Sequence, residues 1–115
     1  ITENFEVKDE DTINKVTAIS GSGPAYFFLL ADCLTKTSEN LGLTKDESNK
    51  LVKKTFLASA LLGKDSDYST LIKKIASKKG TTEAALKIFK NKNFNKIVSK
   101  AVLATYKRAK ELSHE

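Results

Sequence analysis

Ser20-Gly21-Ser22-Gly23-Pro24-Ala25-Tyr26 separates two helical patterns, and the fold follows from how it is read. Gly21 and Gly23 lack a Cβ, so the chain can turn sharply there and another backbone can approach closely. Pro24 has its φ preset for a first helical position, where its missing N–H costs nothing. The pattern that follows, Ala25 to Leu41, opens with Ala25, Tyr26, Phe27, Phe28, Leu29, Leu30 and Ala31. A helix apolar all round is buried, so this one is expected to be the spine of a bundle or of a dimer. Glycines ahead of a helix also suggest a nucleotide loop, because helix N-termini bind anions. The dinucleotide fingerprint, however, needs Gly or Ala three residues after its second glycine, where this chain has Tyr26, and Pro24 removes a donor.

Outward from this junction the periodicity is helical throughout. Asp9-Glu10-Asp11 precedes a pattern over Thr12–Ile19, and acids suit the positive end of a helix. Leu41-Gly42-Leu43 places a glycine just past the spine helix. Thr44-Lys45-Asp46-Glu47 is a capping box opening a helix to about Gly63, with Leu51, Val52, Thr55, Phe56, Ser59 and Leu62 as its inner stripe. A turn over 63–67 leads to a short helix, Tyr68–Ala76, with Leu71, Ile72 and Ile75 inward. The polar loop Ser77–Thr82 ends at a further helix, with Thr81 or Thr82 as its natural N-cap. Ala84–Phe89 makes about two turns, Asn91-Lys92-Asn93 breaks them, and Phe94 to about Leu112 is the cleanest amphipathic pattern. No segment alternates with a period of two, so the chain is expected to be all-α, with five to six helices forming a bundle that interlocks in a homodimer.

The 115 residues and 40% apolar content suit one domain with a core. The chain has no Met and begins with Ile1, which suggests a piece of a longer polypeptide. Cys33 has no cysteine to pair with and reads as a small residue of the spine helix. Ala25–Leu34 is too short to span a membrane and contains Asp32, so a cytoplasmic protein with no membrane partner is expected. Charge is uneven: residues 1–70 hold 8 Lys and 11 acids, while residues 71–115 hold 12 Lys/Arg and 3 acids. Since 19 of the 20 basic residues are Lys, which reads bases poorly, a solvated lysine coat is favoured over a nucleic-acid footprint.

Metal and triad chemistry find no donors, because the chain offers one His, His114, and one Cys. Asp9-Glu10-Asp11 and Asp65/Asp67 are explained as caps and turn residues. The loop Ser77–Thr82 combines three hydroxyls, Gly80 and a following helix N-terminus, which suits a carboxylate or phosphate; an ordinary capped turn is the plainer reading.

Val16-Thr17-Ala18-Ile19 running into Ser20–Tyr26, then Leu41-Gly42-Leu43, resembles the C-terminal domain of pyrroline-5-carboxylate reductase. Ser77-x-x-Gly80-Thr81-Thr82, Ala85-Leu86 and Phe94 continue the likeness in order, over about residues 8–112. The resemblance implies that residues 1–115 are a helical dimerisation and substrate-binding domain, with a homodimer or a higher oligomer as its assembly. It further implies an N-terminal Rossmann domain, absent here, that binds NAD(P)H, and an oxidoreductase making L-proline from 1-pyrroline-5-carboxylate. By the same carry-over, Ser77 and the backbone N–H groups of Gly80, Thr81 and Thr82 hold the substrate carboxylate, and the Thr82 hydroxyl sits by the ring nitrogen as the catalytic group. No cofactor is expected on this chain alone, which should be inactive without the missing domain. The family's loop usually reads Ser-Pro-Gly-Gly-Thr-Thr, and Lys78 and Lys79 depart from it. That departure motivates the alternative of a non-catalytic remnant serving only as a helical dimerisation module.

Overall fold

A computed structural model of the chain describes residues 9–76 and 80–114. Among them every regular element is helical: α1 (Glu10–Val16), a π turn (Thr17–Gly21), α2 (Gly23–Asn40), α3 (Lys45–Gly63), α4 (Tyr68–Ala76), α5 (Thr81–Asn91) and α6 (Phe94–Ser113). The all-α expectation holds, and the helix boundaries fall within a few residues of the sequence pattern.

The local chemistry explains the boundaries. Asp9 caps α1 by accepting the Thr12 N–H at 2.8 Å. At the end of α2, Gly42 takes φ +108, while its N–H reaches the Glu39 carbonyl and the Leu43 N–H reaches that of Ser38. These two bonds form a Schellman motif, which only a residue at ease with positive φ completes without strain. Both halves of the Thr44/Glu47 capping box form, at 2.9 and 3.1 Å. Asp67, read from the sequence as a turn residue, also caps: its carboxylate accepts the Thr70 N–H at 3.1 Å. Asn93 turns the chain into α6 in the left-handed region, at φ 59 and ψ 46.

The chain divides into two compact units, residues 1–27 with 90–115, and residues 28–89. In the first, α1 and α6 close on the π turn. Ala18, in that turn, is one of the two buried hydrophobic residues among those described, at 2% exposure. The Tyr26 hydroxyl donates to the Ala18 carbonyl at 2.7 Å and lies 3.1 Å from the Thr105 hydroxyl. A π turn shifts the backbone ladder, and a buried carbonyl needs a partner. Tyr26 supplies it. The sharp glycine turn expected at Ser20–Tyr26 is therefore corrected: neither Gly21 nor Gly23 has positive φ, and a Cβ on Gly23 would meet nothing within 4 Å. The junction is made by helical geometry, with Gly23 rather than Pro24 as the first residue of α2.

In the second unit Val52 is buried at 8%, and the Phe28 and Phe56 rings lie 6.2 Å apart at a 51° tilt. Much of the expected inner stripe of α3 is open: Leu51, Thr55, Ser59 and Leu62 are exposed and Phe56 is half-buried. On the part of α2 in this unit, Phe28, Leu29, Leu30 and Leu34 are all exposed. Cys33, expected on a buried helix, is exposed as well. The apolar pattern was legible, but one copy of the chain does not cover it. Large apolar side chains exposed in such number suit an interaction site.

Candidate functional site

The loop before α5 carries the expected substrate residues. Ser77 and its neighbours Lys78 and Lys79 lie outside the described residues. Gly80 has φ +77, a conformation that favours glycine, and its carbonyl accepts the Ala84 N–H at 3.1 Å. That bond makes Gly80 the cap position and Thr81 and Thr82 the first two residues of α5, which corrects the expectation of a threonine N-cap. Gly80 and Thr81 are exposed and Thr82 is half-buried.

Three consecutive residues thus meet at the positive end of an 11-residue helix, where the first backbone N–H groups have no intrahelical acceptor. The helix dipole adds to their pull on an anion. Glu83, in the same turn, favours the dipole but opposes a second negative charge, so a carboxylate must be held by backbone donors and hydroxyls. The arrangement can bind and orient an anionic group.

The shifted ionisable groups lie elsewhere, and each has a structural cause. The Glu47 carboxyl is held below its ordinary value by the Thr44 backbone N–H, and that of Asp9 by the Thr12 backbone N–H. Asp11 is lowered first by the Tyr106 hydroxyl and then by Lys15, whose ammonium sits 3.1 Å away. Tyr106 is raised in return by its bond to Asp11. Lys36 is raised by Asp32, one helical turn away at 2.8 Å. The acid clusters are accounted for as caps and ion pairs, Asp65 lying 3.4 Å from the Lys64 ammonium.

No group of three or more His, Cys, Asp or Glu residues is placed to hold a metal ion among the described residues. None of the helices among them is long and apolar enough to cross a membrane. The residues at Ser20–Tyr26 do not form a dinucleotide cradle, since the π turn and Pro24 take the place of a glycine-rich phosphate loop. Two polar ties, Tyr106 to Asp11 and Asn14 to Ser113, could not be read from local pattern, because their partners lie 95 and 99 residues apart.

Comparison with known proteins identifies the family. The family described as pyrroline-5-carboxylate reductase dimerisation matches residues 10–112. A pyrroline-5-carboxylate reductase of Pseudomonas aeruginosa is 40% identical over 109 residues, 93% of this chain and 40% of that protein. One from Haemophilus influenzae is 35% identical, again over 92% of this chain and 40% of the relative. Among solved structures, the enzyme of Coxiella burnetii aligns with TM-score 0.82 and 41% identity, covering 92% of this chain and 40% of that one. Pyrroline carboxylate reductase of Plasmodium falciparum, solved with NADP bound, aligns at 0.83 with 33% identity, covering 92% and 41%. The chain spans about 40% of the length of these relatives. With helices as its only regular elements among the described residues, an uncovered spine helix and a family match over residues 10–112, the chain belongs to the pyrroline-5-carboxylate reductase dimerisation family.

Proposed function

We propose that residues 1–115 are the dimerisation and substrate-binding half of an enzyme that reduces 1-pyrroline-5-carboxylate to L-proline in the cytoplasm. The observation that carries this reading is the uncovered apolar surface of α2 and α3 in a chain that belongs to a dimerisation family. Ser77 and the N–H groups of Gly80, Thr81 and Thr82 hold the substrate carboxylate, and the Thr82 hydroxyl, the catalytic group, lies by the ring nitrogen. Thr82 is half-buried, in the first turn of α5. NAD(P)H, bound by a separate cofactor domain, supplies the hydride. This half orients the imine, and orientation is where a protein can lower such a barrier most.

The test has two arms. The 115-residue chain alone sediments as a dimer at tens of micromolar and does not oxidise NAD(P)H. The complete protein encoded by the gene reduces 1-pyrroline-5-carboxylate. A monomeric chain, or a complete protein without this activity, refutes the proposal.

The substituted loop favours a second reading, a non-catalytic remnant that keeps only the dimerisation role. If Lys78→Pro with Lys79→Gly raises the activity of the complete protein strongly, the native loop is impaired. An unchanged rate makes it a working variant.

A further inference from the structure

The lysines of α6 are not scattered over its surface. At about 100° per residue, Lys96, Lys100, Lys107 and Lys110 fall within roughly 80° of one another. Half-buried Val102, Thr105 and Ala109 lie on the other side of the helix, which is the side turned inward. All four lysines are exposed, and none has an ion pair among the described residues. The helix's one acid, Glu111, is held instead by Arg108 at 3.2 Å. Lys110 rests 5.2 Å from the Tyr106 ring, a contact that leaves its charge unneutralised. Leu103 is the only apolar residue in the row.

The row is long and straight. Lys96 to Lys110 is ~21 Å of helix. Like charges at three- and four-residue spacing repel along it, and a bound polyanion would relieve that repulsion. A second copy does not offer the counter-charge. Residues 1–27 with 90–115 hold 9 basic and 7 acidic residues, and residues 28–89 hold 11 and 7. Lysine is also depleted from the cores of protein interfaces, which separates this face from the apolar surface of α2.

We propose that the lysine row of α6 binds the phosphate backbone of a nucleic acid without reading its sequence. Lysine reads bases poorly, but holding a backbone requires no reading, and an ammonium suits a phosphate as a point charge. One strand of a duplex carries a phosphate about every 3.4 Å of axis, so the row spans about six of them. The row lies wholly on one helix, and the inference is independent of the proposed reductase activity.

The experiment titrates the complete protein encoded by the gene against a fluorescent DNA duplex of about 20 base pairs, from about 50 to 200 mM salt. With four phosphate contacts, log K falls with log salt at a slope of about −3.6, a loss of about 150-fold over that range. Duplexes of unrelated sequence bind alike. Lys100→Gln with Lys107→Gln, which keeps helix propensity, brings the slope to about −1.8. Lys53→Gln with Lys54→Gln removes the same charge from exposed positions on α3 and leaves the slope unchanged. Melting temperature and sedimentation of both variants match the wild type. No binding at the lowest salt overturns the proposal and leaves a solvated face. So does an equal loss in the two double variants, which makes net charge the cause. Binding to phosphatidylserine vesicles but not to the duplex overturns it in favour of a membrane surface.

Discussion

Replacing Leu29 with Asp should break the assembly of this domain. On α2, Ala31, Thr35 and Ser38 are half-buried, at a spacing that marks one side of the helix. Leu29, Leu30, Cys33 and Thr37 lie on the opposite side, and all are exposed. Leu29 is 66% exposed. A leucine offers roughly 180 Å², so a partner covering this residue removes about 120 Å² of apolar surface, ~3 kcal/mol per copy at about 25 cal/mol per Å². In a symmetric dimer the same contact occurs twice, giving ~6 kcal/mol, or about four orders of magnitude in Kd. Aspartate adds the desolvation of a charge with no partner, which raises the loss further. The helix cost of Asp is only ~0.7 kcal/mol, so weakened folding of α2 itself cannot account for such a change. Sedimentation equilibrium from about 1 to 100 µM reads the constant directly. Circular dichroism over the same range reads the fold. With only Ala18 and Val52 buried among the described hydrophobic residues, a separated chain should lose helicity as it dissociates. A Leu29→Asp chain that stays dimeric, with an unchanged melt, refutes the assignment of this face.

Other consequences concern single positions. Ser48 is fully buried and its hydroxyl has no hydrogen-bond partner. Ser48→Ala should therefore raise stability, by ~1 kcal/mol in denaturant titration, because an unsatisfied buried hydroxyl disfavours the folded state. Gly80→Ala places a Cβ at φ +77, a strain of about 1–2 kcal/mol. If the proposed function holds, it should raise KM for 1-pyrroline-5-carboxylate in the complete protein while leaving dimerisation intact. Acid should destabilise the domain through Asp9, Asp11 and Glu47, whose folded pKa values are all depressed. Their stabilisation is fully present above the ordinary values, 3.8 for Asp and 4.5 for Glu, and is lost as pH falls through the lower folded ones. Melting temperature should be flat from about pH 6 to 5 and fall below pH 4, more shallowly in Glu47→Gln.

Much of the helical order could be read locally because its causes are local. Asp9, Gly42 and the Thr44/Glu47 box act within a few residues, and each stands where the pattern put it. The misses have longer reach. At Ser20–Tyr26 the glycines suggested a tight turn, yet the backbone answer was a π turn whose buried Ala18 carbonyl is satisfied by a tyrosine eight residues on. At the α5 start, two threonines competed for the cap with a glycine, and the chain's need for positive φ gave the position to Gly80. The candidate site was legible only through the family's motif, because a backbone anion cradle would use N–H groups that every residue but proline possesses.

The exposure of α2 carries the broader lesson. Hydrophobic periodicity states which side chains must leave water, and says nothing about whose atoms cover them. Phe28 reaches Phe56 within its own unit, whereas Leu29, one residue along, points its side of the helix away from the half-buried residues. Phe28 nevertheless stays 63% exposed, so even the ring that meets α3 is covered only in part by its own chain. A monomer would gain nothing from keeping the uncovered surface apolar, and would risk aggregation for it. Its persistence along α2 is therefore evidence about a partner as direct as any pocket would be about a ligand, and a second copy is the partner that a dimerisation family supplies.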